Sequence, residues 1–236
     1  YCIDKKDGDS CGVCSSCSKI AQMIHPDVHF TFPFAKPKAV CTEFIAQYRE
    51  KVLENPYLSA TDWTAEIADN ENKAPNIYVS EVRNIQSKLS LKAYEGEAKT
   101  LILWLPEYLG QESNILLKLI EEPPQKTYFI LITEKPDELL ATITSRTQLV
   151  KVPCYTPLEA ASFVKEKYGL DSTRAEQLGY LSGGNLRVAI QNIESIENNY
   201  NQIFRDWMAN CYTNNLSKVS EITEQLHKLG RVQLQV

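Results

Sequence analysis

Apolar residues along the first two thirds of the chain follow two alternating patterns, one typical of strands and one typical of amphipathic helices. Residues 99–105 (KTLILWL) and 127–133 (TYFILIT) are nearly continuous apolar runs, which predict strands buried on both faces. Residues 27–32 (DVHFTF) predict another short strand, closed by a proline. Apolar residues at helical spacing over 42–53 and 111–121 predict helices. This alternation predicts an α/β fold, in which helices flank a mostly parallel sheet.

Shorter segments complete this part of the chain. Residues 63–68 predict a short helix, and residues 76–79 and 148–152 predict two further strands. After Pro153 the pattern is helical only, with predicted helices over 157–167, 172–182, 185–194, 198–212 and 215–229. This change of pattern places a domain boundary near residues 152–157. The predicted domains are 1–153, 154–196 and 197–236.

Charge and hydropathy narrow the classes of function. The 236 residues carry a formal net charge of −5, so the whole chain lacks the basic character typical of proteins that bind nucleic acid on their own. Its apolar runs fall short of the roughly 18 residues that a membrane helix needs. The first residues also lack the apolar stretch of a signal peptide. We therefore expect a cytoplasmic protein with no membrane partner.

Four of the seven cysteines are crowded into the first 17 residues. They are Cys2, Cys11, Cys14 and Cys17. Zinc prefers tetrahedral sets of thiolates, and a C-x2-C loop presents two sulfurs to one ion. Gly8 and Gly12 permit the tight turns of such loops. The sequence therefore predicts a structural zinc site, with free thiols or a redox dithiol as alternatives. Cys41, Cys154 and Cys211 are predicted to be small buried residues.

Several segments, taken in order, resemble those of a known family. Residues 114–124 (NILLKLIEEPP) are similar to the NALLKxLEEPP segment of bacterial clamp-loader ATPase subunits. Residues 139–146 (LLATITSR) resemble their LLxTIxSRC segment, and residues 89–96 (LSLKAYEG) their LxLxPYEG segment. The cysteine spacing followed by His-Pro-Asp at 25–27 resembles their zinc module. The resemblance covers roughly residues 2–190.

The resemblance implies a fold and a complex. It implies an AAA+ module over 1–153 with a zinc module at 2–17, a helical lid over 154–196, and the start of a helical collar over 197–236 that is cut short. It also implies a subunit of the bacterial DNA polymerase III holoenzyme. Such a subunit helps to load the sliding clamp onto primed DNA, together with clamp-loader subunits of the gamma/tau and delta types.

The resemblance also implies roles for three residues. In this family an arginine of the Ser-Arg-Cys segment reaches the ATP of a neighbouring subunit. Here that segment is Ser-Arg-Thr, which identifies Arg146 as an arginine finger acting in trans. A guanidinium suits this role because it is always charged and its fork matches phosphate oxygens. Thr133 and Arg187 resemble the family's two nucleotide sensors. A surface arginine, a strand-end cap and a local ion pair are the respective alternatives.

The acidic residues of an ATP-hydrolysing member are missing. Counting back from Lys118, Trp104 and Leu105 occupy the positions of its Asp-Glu pair, and neither can bind a hard cation. Glu107 is the nearest carboxylate, and the sequence contains no G-x-x-x-x-G-K-[ST] motif. We therefore expect this chain to bind no ATP and to have no intrinsic enzymatic activity. This favours the delta-prime type of clamp-loader subunit.

Two other functions remain open. One is an ATP-hydrolysing gamma/tau subunit in which Glu107 binds the metal, and the other is a zinc-dependent interaction or DNA-binding adaptor. In the family the P-loop precedes the zinc module, and its strand lies inside the sheet. Unpaired inner backbone groups cost about 1–3 kcal/mol each when buried. We therefore expect residues 1–236 to fold poorly on their own.

Overall fold

A computed structural model describes residues 1–67, 75–197 and 200–228. The chain divides into two compact units between Val150 and Lys151. In the part of the chain that is described, no helix is both long and apolar enough to cross a membrane.

The first unit contains a parallel sheet of three strands in the order β1-β2-β3. The strands are β1 (Val28–Thr31), β2 (Lys99–Trp104) and β3 (Thr127–Ile132). The helices are α1 (Ser15–Ala21), α2 (Ile45–Glu54), α3 (Ala60–Ile67), α4 (Val79–Ser90), α5 (Ser113–Glu121) and α6 (Ala141–Thr144). The α/β class with a parallel sheet flanked by helices is therefore confirmed.

The helices predicted in this unit form with shifted starts. A 3-10 turn at Cys41–Glu43 precedes α2, and a 3-10 segment at Pro106–Glu112 precedes α5. The helix predicted near 63–68 is α3, and Ala68 lies outside the described residues.

Each face of the central strand β2 packs against a different apolar cluster. Leu101 and Leu103 lie in a cluster with side chains of α4 and α5, including the buried Leu89 and Leu116. On the other face Trp104 belongs to an aromatic cluster, whose buried rings are Phe32, Phe34, Tyr48 and Trp63. A strand covered in this way has the continuous apolar sequence that predicted it.

Strand β3 is partly buried, and on one face only. Its side chains alternate, and Tyr128, Ile130 and Ile132 are 63%, 48% and 47% exposed. Phe129 and Leu131 point the other way and pack against the cluster that contains Leu101. No described element covers the outer face, so the pleat of the strand decides which side chains are exposed. The prediction that this strand is buried on both faces is wrong.

Two predicted strands do not form. In segment 76–79, Asn76 makes an isolated bridge with Phe34, and α4 begins at Val79. Segment 148–152 has no regular structure, and Leu149 and Val152 are 75% and 86% exposed. An apolar run forms a strand only where it can pair with a neighbouring strand and pack against a covering layer. None of the described residues provides such a partner for this segment.

The second unit is helical, as predicted. It contains α7 (Pro157–Tyr168), α8 (Ser172–Leu181), α9 (Leu186–Glu197), α10 (Tyr200–Tyr212) and α11 (Leu216–Lys228). Thr156 and Glu159 form a capping box at the start of α7, and Gly169 ends this helix with φ 66°. Buried residues of α7, α8 and α9 share a core that consists of Ala161, Val164, Ala175, Leu178, Ala189 and Ile193. Residues 198, 199 and 229 of the predicted helices lie outside the described residues.

Polar contacts fasten the N-terminal segment to the sheet. The Tyr1 hydroxyl donates to the carbonyl oxygen of Ala98 at 2.9 Å and lies 3.1 Å from the Thr100 hydroxyl. Asp27 is buried, and its carboxylate accepts backbone N–H groups of Tyr94, Glu95 and Gly96 at 2.5, 2.8 and 2.7 Å. These bonds hold the loop after α4 beside the start of β1.

The Asp27 carboxylate predicts a pH dependence of stability. Its burial, the largest single influence, raises its pKa, but the three N–H donors outweigh this and leave the pKa below its usual value. A depressed carboxyl pKa stabilises the fold above the unfolded pKa of about 3.9, and this stabilisation is lost as the pH falls through the folded pKa. We expect Asp27→Asn to lower the free energy of unfolding at neutral pH by about 1.5–3 kcal/mol.

Urea unfolding measured in steps from about pH 7 down to about pH 2 follows this dependence, because the loss begins near the unfolded pKa and is complete only below the folded pKa. Asp27→Asn should be less sensitive to acid than the parent protein. Asp137→Asn is the control, because Asp137 is exposed. An equal loss in both variants at neutral pH would show that the Asp27 contacts contribute nothing specific.

Candidate metal centre and arginine site

The four N-terminal cysteines lie together. The sulfurs of Cys2, Cys11, Cys14 and Cys17 are all within 4.8 Å of one another. The sulfurs of Cys11 and Cys17 are 4.0 Å apart. Zinc–sulfur bonds of about 2.3 Å in a tetrahedron give sulfur–sulfur distances near 3.8 Å. The cluster therefore fits a metal ion with four thiolate ligands, as the spacing predicted.

Two turns bring these sulfurs together. Lys6 and Asp9 exchange backbone hydrogen bonds, and both residues between them have positive φ, 50° at Asp7 and 85° at Gly8. This is the geometry of a two-residue hairpin turn, which favours an Asp-Gly pair. Gly12 also has positive φ, at 72°. The backbone N–H of Cys11 donates to the sulfur of Cys2 at 3.2 Å.

The thiols of the cluster influence one another. Backbone hydrogen bonds from Ile3 and Cys17 lower the pKa of the Cys14 thiol to about 6. The side-chain hydrogen bond with Cys14, assisted by burial, raises the pKa of the Cys17 thiol to about 12. Without a cation the sulfurs share protons, because neighbouring thiolates repel each other. A divalent ion removes this conflict by binding all four as thiolates.

The other cysteines lie outside this cluster. Cys41 is buried as predicted, but Cys154 is exposed and Cys211 is half-buried. The prediction of three buried cysteines is therefore wrong for Cys154, which lies in irregular backbone before α7. His25 is also outside the cluster; it is buried and its Nδ1 accepts the backbone N–H of Asp27 at 3.2 Å.

The carboxyl ends of β2 and β3 bring together two residues from the sequence analysis. Trp104 and Leu105 are 8% and 1% exposed and belong to the aromatic cluster. Leu105 has φ 58°, a conformation that is rare for a leucine. The Thr133 hydroxyl donates to Oε2 of Glu107 at 2.9 Å. This end of the sheet thus offers one carboxylate beside one hydroxyl, and the side chains of Trp104 and Leu105 are buried.

Arg146 lies on the surface just after α6. Its side chain is 39% exposed, and its Nη2 is 2.7 Å from Oε1 of Glu121. Its Nη1 donates to the carbonyl oxygen of Thr142 at 2.9 Å. A guanidinium in this position can bind an anion that approaches from solvent.

Arg187 belongs to the second unit. It lies in the first turn of α9, where its backbone N–H donates to the side-chain oxygen of Asn185 at 3.1 Å. Its predicted role as a nucleotide sensor stays a prediction.

Two carboxylates with specific contacts were missed by the sequence analysis. Glu81 is buried and accepts hydrogen bonds from the Thr31 hydroxyl at 3.0 Å and from the Cys41 backbone at 2.8 Å. Glu121 pairs with Arg146 across a long sequence separation. The position of Glu81 on the inner face of α4, in line with Val82 and Ile85, is the one signal available for the first. The sequence carries no signal for the second.

Fold and sites together define a class. The first unit of the chain is an α/β structure with a four-cysteine cluster suited to a metal ion and an exposed arginine just after α6. The family model described as "DNA polymerase III, delta subunit" matches residues 1–155. The chain belongs to this family, and the delta-prime assignment from sequence is confirmed.

Curated relatives include DNA polymerase III subunits named delta' and gamma. A DNA polymerase III subunit delta' of Yersinia pestis is 30% identical over 148 residues, which are 61% of this chain and 32% of the relative. The subunit delta' of Escherichia coli is 40% identical over 74 residues, or 30% and 22% of the two chains. A gamma subunit of Buchnera aphidicola is 27% identical over 122 residues, or 49% and 34%. The matches with these relatives therefore span about a fifth to a third of their length.

Solved structures give weaker similarities. A gamma subunit-related protein of Thermotoga maritima has a TM-score of 0.39 at 22% identity, covering 70% of this chain and 48% of that one. A RuvB variant of the same organism has a TM-score of 0.42 at 16% identity, covering 72% and 54%.

Proposed function

We propose that this chain is a non-hydrolysing subunit of the bacterial clamp loader. In this role it helps to load the sliding clamp onto primed DNA in the cytoplasm, together with subunits of the gamma/tau and delta types. It supplies Arg146 in trans to ATP bound by a neighbouring subunit. Membership of the DNA polymerase III delta subunit family supports the complex in which this function belongs.

The observation that carries this proposal is the exposed guanidinium of Arg146. It lies outside both apolar clusters of its unit and keeps 39% of its side chain exposed. A permanent charge at this position is available to a partner subunit. Arginine fingers contribute about 10³–10⁵ in rate in other phosphoryl-transfer enzymes.

The non-hydrolysing part of the proposal depends on Trp104 and Leu105. Both side chains are buried in an aromatic cluster and have no oxygen with which to bind magnesium. Glu107 is the nearest carboxylate of this region, and it already accepts a hydrogen bond from Thr133. The competing gamma/tau function would require Glu107 to hold the metal.

The four-cysteine cluster is proposed to bind a structural zinc ion. Zinc with four sulfurs has no position left for water, so such a site orders the chain and does not catalyse. In this proposal Cys2, Cys11, Cys14 and Cys17 are the ligands, within a module at residues 2–17. Residues 1–153, 154–196 and 197–236 are proposed as AAA+ module, lid and start of the collar.

A nucleotide assay on the complete protein tests the non-hydrolysing role. We expect no ATP hydrolysis, and we expect any nucleotide binding to be equal with and without Mg²⁺. Magnesium should be omitted rather than chelated, because a chelator also removes zinc. Magnesium-dependent hydrolysis by this protein alone, lost in Glu107→Gln, would establish the gamma/tau function instead.

A further inference from the structure

The Arg146 guanidinium is held from two helices that are far apart in sequence. Glu121 is the last residue of α5, and its Oε1 lies 2.7 Å from Nη2 of Arg146. Nη1 of Arg146 donates to the carbonyl oxygen of Thr142 in α6 at 2.9 Å, and to the hydroxyl of Ser145 at 3.3 Å. The side chain is therefore fixed at both terminal nitrogens.

These contacts leave part of the guanidinium available. A guanidinium has five N–H donors. The contacts with Glu121, Thr142 and Ser145 use three of them. The Nε–H and one N–H of Nη2 remain for another acceptor, and the side chain is 39% exposed. An anion such as a phosphate can therefore bind without displacing Glu121.

We infer that Glu121 is a positioning residue for Arg146, which holds the guanidinium ready for phosphate oxygens of the neighbour's ATP. This inference rests on the proposed function. A long arginine side chain loses much conformational freedom when it is fixed. Glu121 and the carbonyl of Thr142 bring about this loss before the nucleotide arrives, which lowers the barrier to the reaction.

The exposure of the pair favours positioning over a structural role. The side chains of Glu121 and Arg146 are 42% and 39% exposed. Exposed ion pairs add little to stability. Removal of the Glu121 charge should therefore leave folding and assembly nearly unchanged, and its effect should be seen in the reaction.

The test uses the complete protein in a reconstituted clamp loader, with Glu121→Gln, Arg146→Ala and the double variant. Single-turnover ATP hydrolysis identifies the phase that depends on Arg146, as the phase that Arg146→Ala removes. A displacement of about 1 Å at a reacting group can cost about 100-fold in rate. Because Thr142 and Ser145 still hold Nη1, we expect Glu121→Gln to slow this phase about tenfold.

The matched control is Glu122→Gln, which removes the same charge one residue further on. Glu122 is exposed and lies just beyond the end of α5. We expect clamp loaders that contain the Glu122→Gln variant to hydrolyse ATP at the same rate as loaders that contain the parent protein. Glu121→Gln should keep the parent KM for ATP and the parent melting temperature, because the residue acts on the transition state through Arg146. The double variant should be no slower than Arg146→Ala.

Each other outcome is decisive. A parent-like rate in Arg146→Ala contradicts the proposed function itself. A loss in Arg146→Ala with a parent-like or faster Glu121→Gln overturns the positioning role and leaves the proposed function intact. Equal losses of hydrolysis rate in Glu121→Gln and Glu122→Gln also overturn the positioning role of Glu121. A melting temperature that is lowered in Glu121→Gln alone overturns this role as well.

Discussion

Replacing Cys14 with serine should abolish stoichiometric zinc binding and unfold the N-terminal module. The structure gives a physical reason, because Ser16 and Cys17 are the only buried residues among the first 17. A segment with so little buried surface depends on a cross-link or a metal for its order. Structural zinc contributes on the order of 10–16 kcal/mol to the folding of comparable modules. We expect the variant to lose most of this contribution.

Zinc content and trypsin cleavage measure this effect. Lys5 and Lys6 are exposed within the module, so cleavage after them should accelerate strongly in Cys14→Ser and in the parent protein treated with a chelator. Cys154→Ser is the matched control because Cys154 is exposed and lies outside the cluster. It should keep one zinc ion per chain and the parent cleavage rate. A parent protein without zinc, or a Cys14→Ser variant that retains it, would contradict the zinc proposal.

The fold could be predicted where the sequence pattern and the packing agree. Segment 99–105 is continuously apolar, and β2 is covered on both faces. Segment 127–133 has the same character, yet β3 is only partly buried, and on one face only, among the described residues. Segment 148–152 has three apolar residues among five and forms no strand. The local sequence pattern shows that a residue is apolar. Whether its side chain is buried depends on which element packs against that face of the strand, and the local pattern does not specify this element.

The candidate sites also differ in how far the sequence could predict them. The cysteine cluster was predictable because all four ligands lie within 17 residues, and short spacing limits how far apart the sulfurs can be. The contacts of Thr133 with Glu107 and of Arg146 with Glu121 span 26 and 25 positions. Such contacts depend on how strands and helices pack, and spacing along the chain does not determine them.

Replacing Arg146 with alanine should remove most ATP turnover at one neighbouring site of the assembled loader. In the proposed function the guanidinium neutralises charge that develops on the transferred phosphoryl group, and alanine offers neither charge nor hydrogen bond. Other fingers of this kind contribute about 10³–10⁵ in rate. Assembly should be nearly unchanged, because Arg146 is exposed and lies outside both apolar clusters. Surface substitutions of this type usually change stability by less than about 0.5 kcal/mol.

Arg83→Ala provides the matched control. Arg83 is an exposed arginine of α4 in the same unit, so its removal changes the net charge equally. It should leave turnover, its salt dependence and assembly at parent values. A comparable loss of turnover in both variants would indicate a general effect of surface charge rather than a specific contact with the nucleotide.

Single-turnover ATP hydrolysis by loaders that contain the parent protein, Arg146→Ala or Arg83→Ala tests the central claim most directly. The arginine-finger account predicts that one hydrolysis phase slows by about 10³ or more in Arg146→Ala, while assembly stays intact and Arg83→Ala behaves as the parent. Unchanged hydrolysis in a fully assembled Arg146→Ala loader would contradict it.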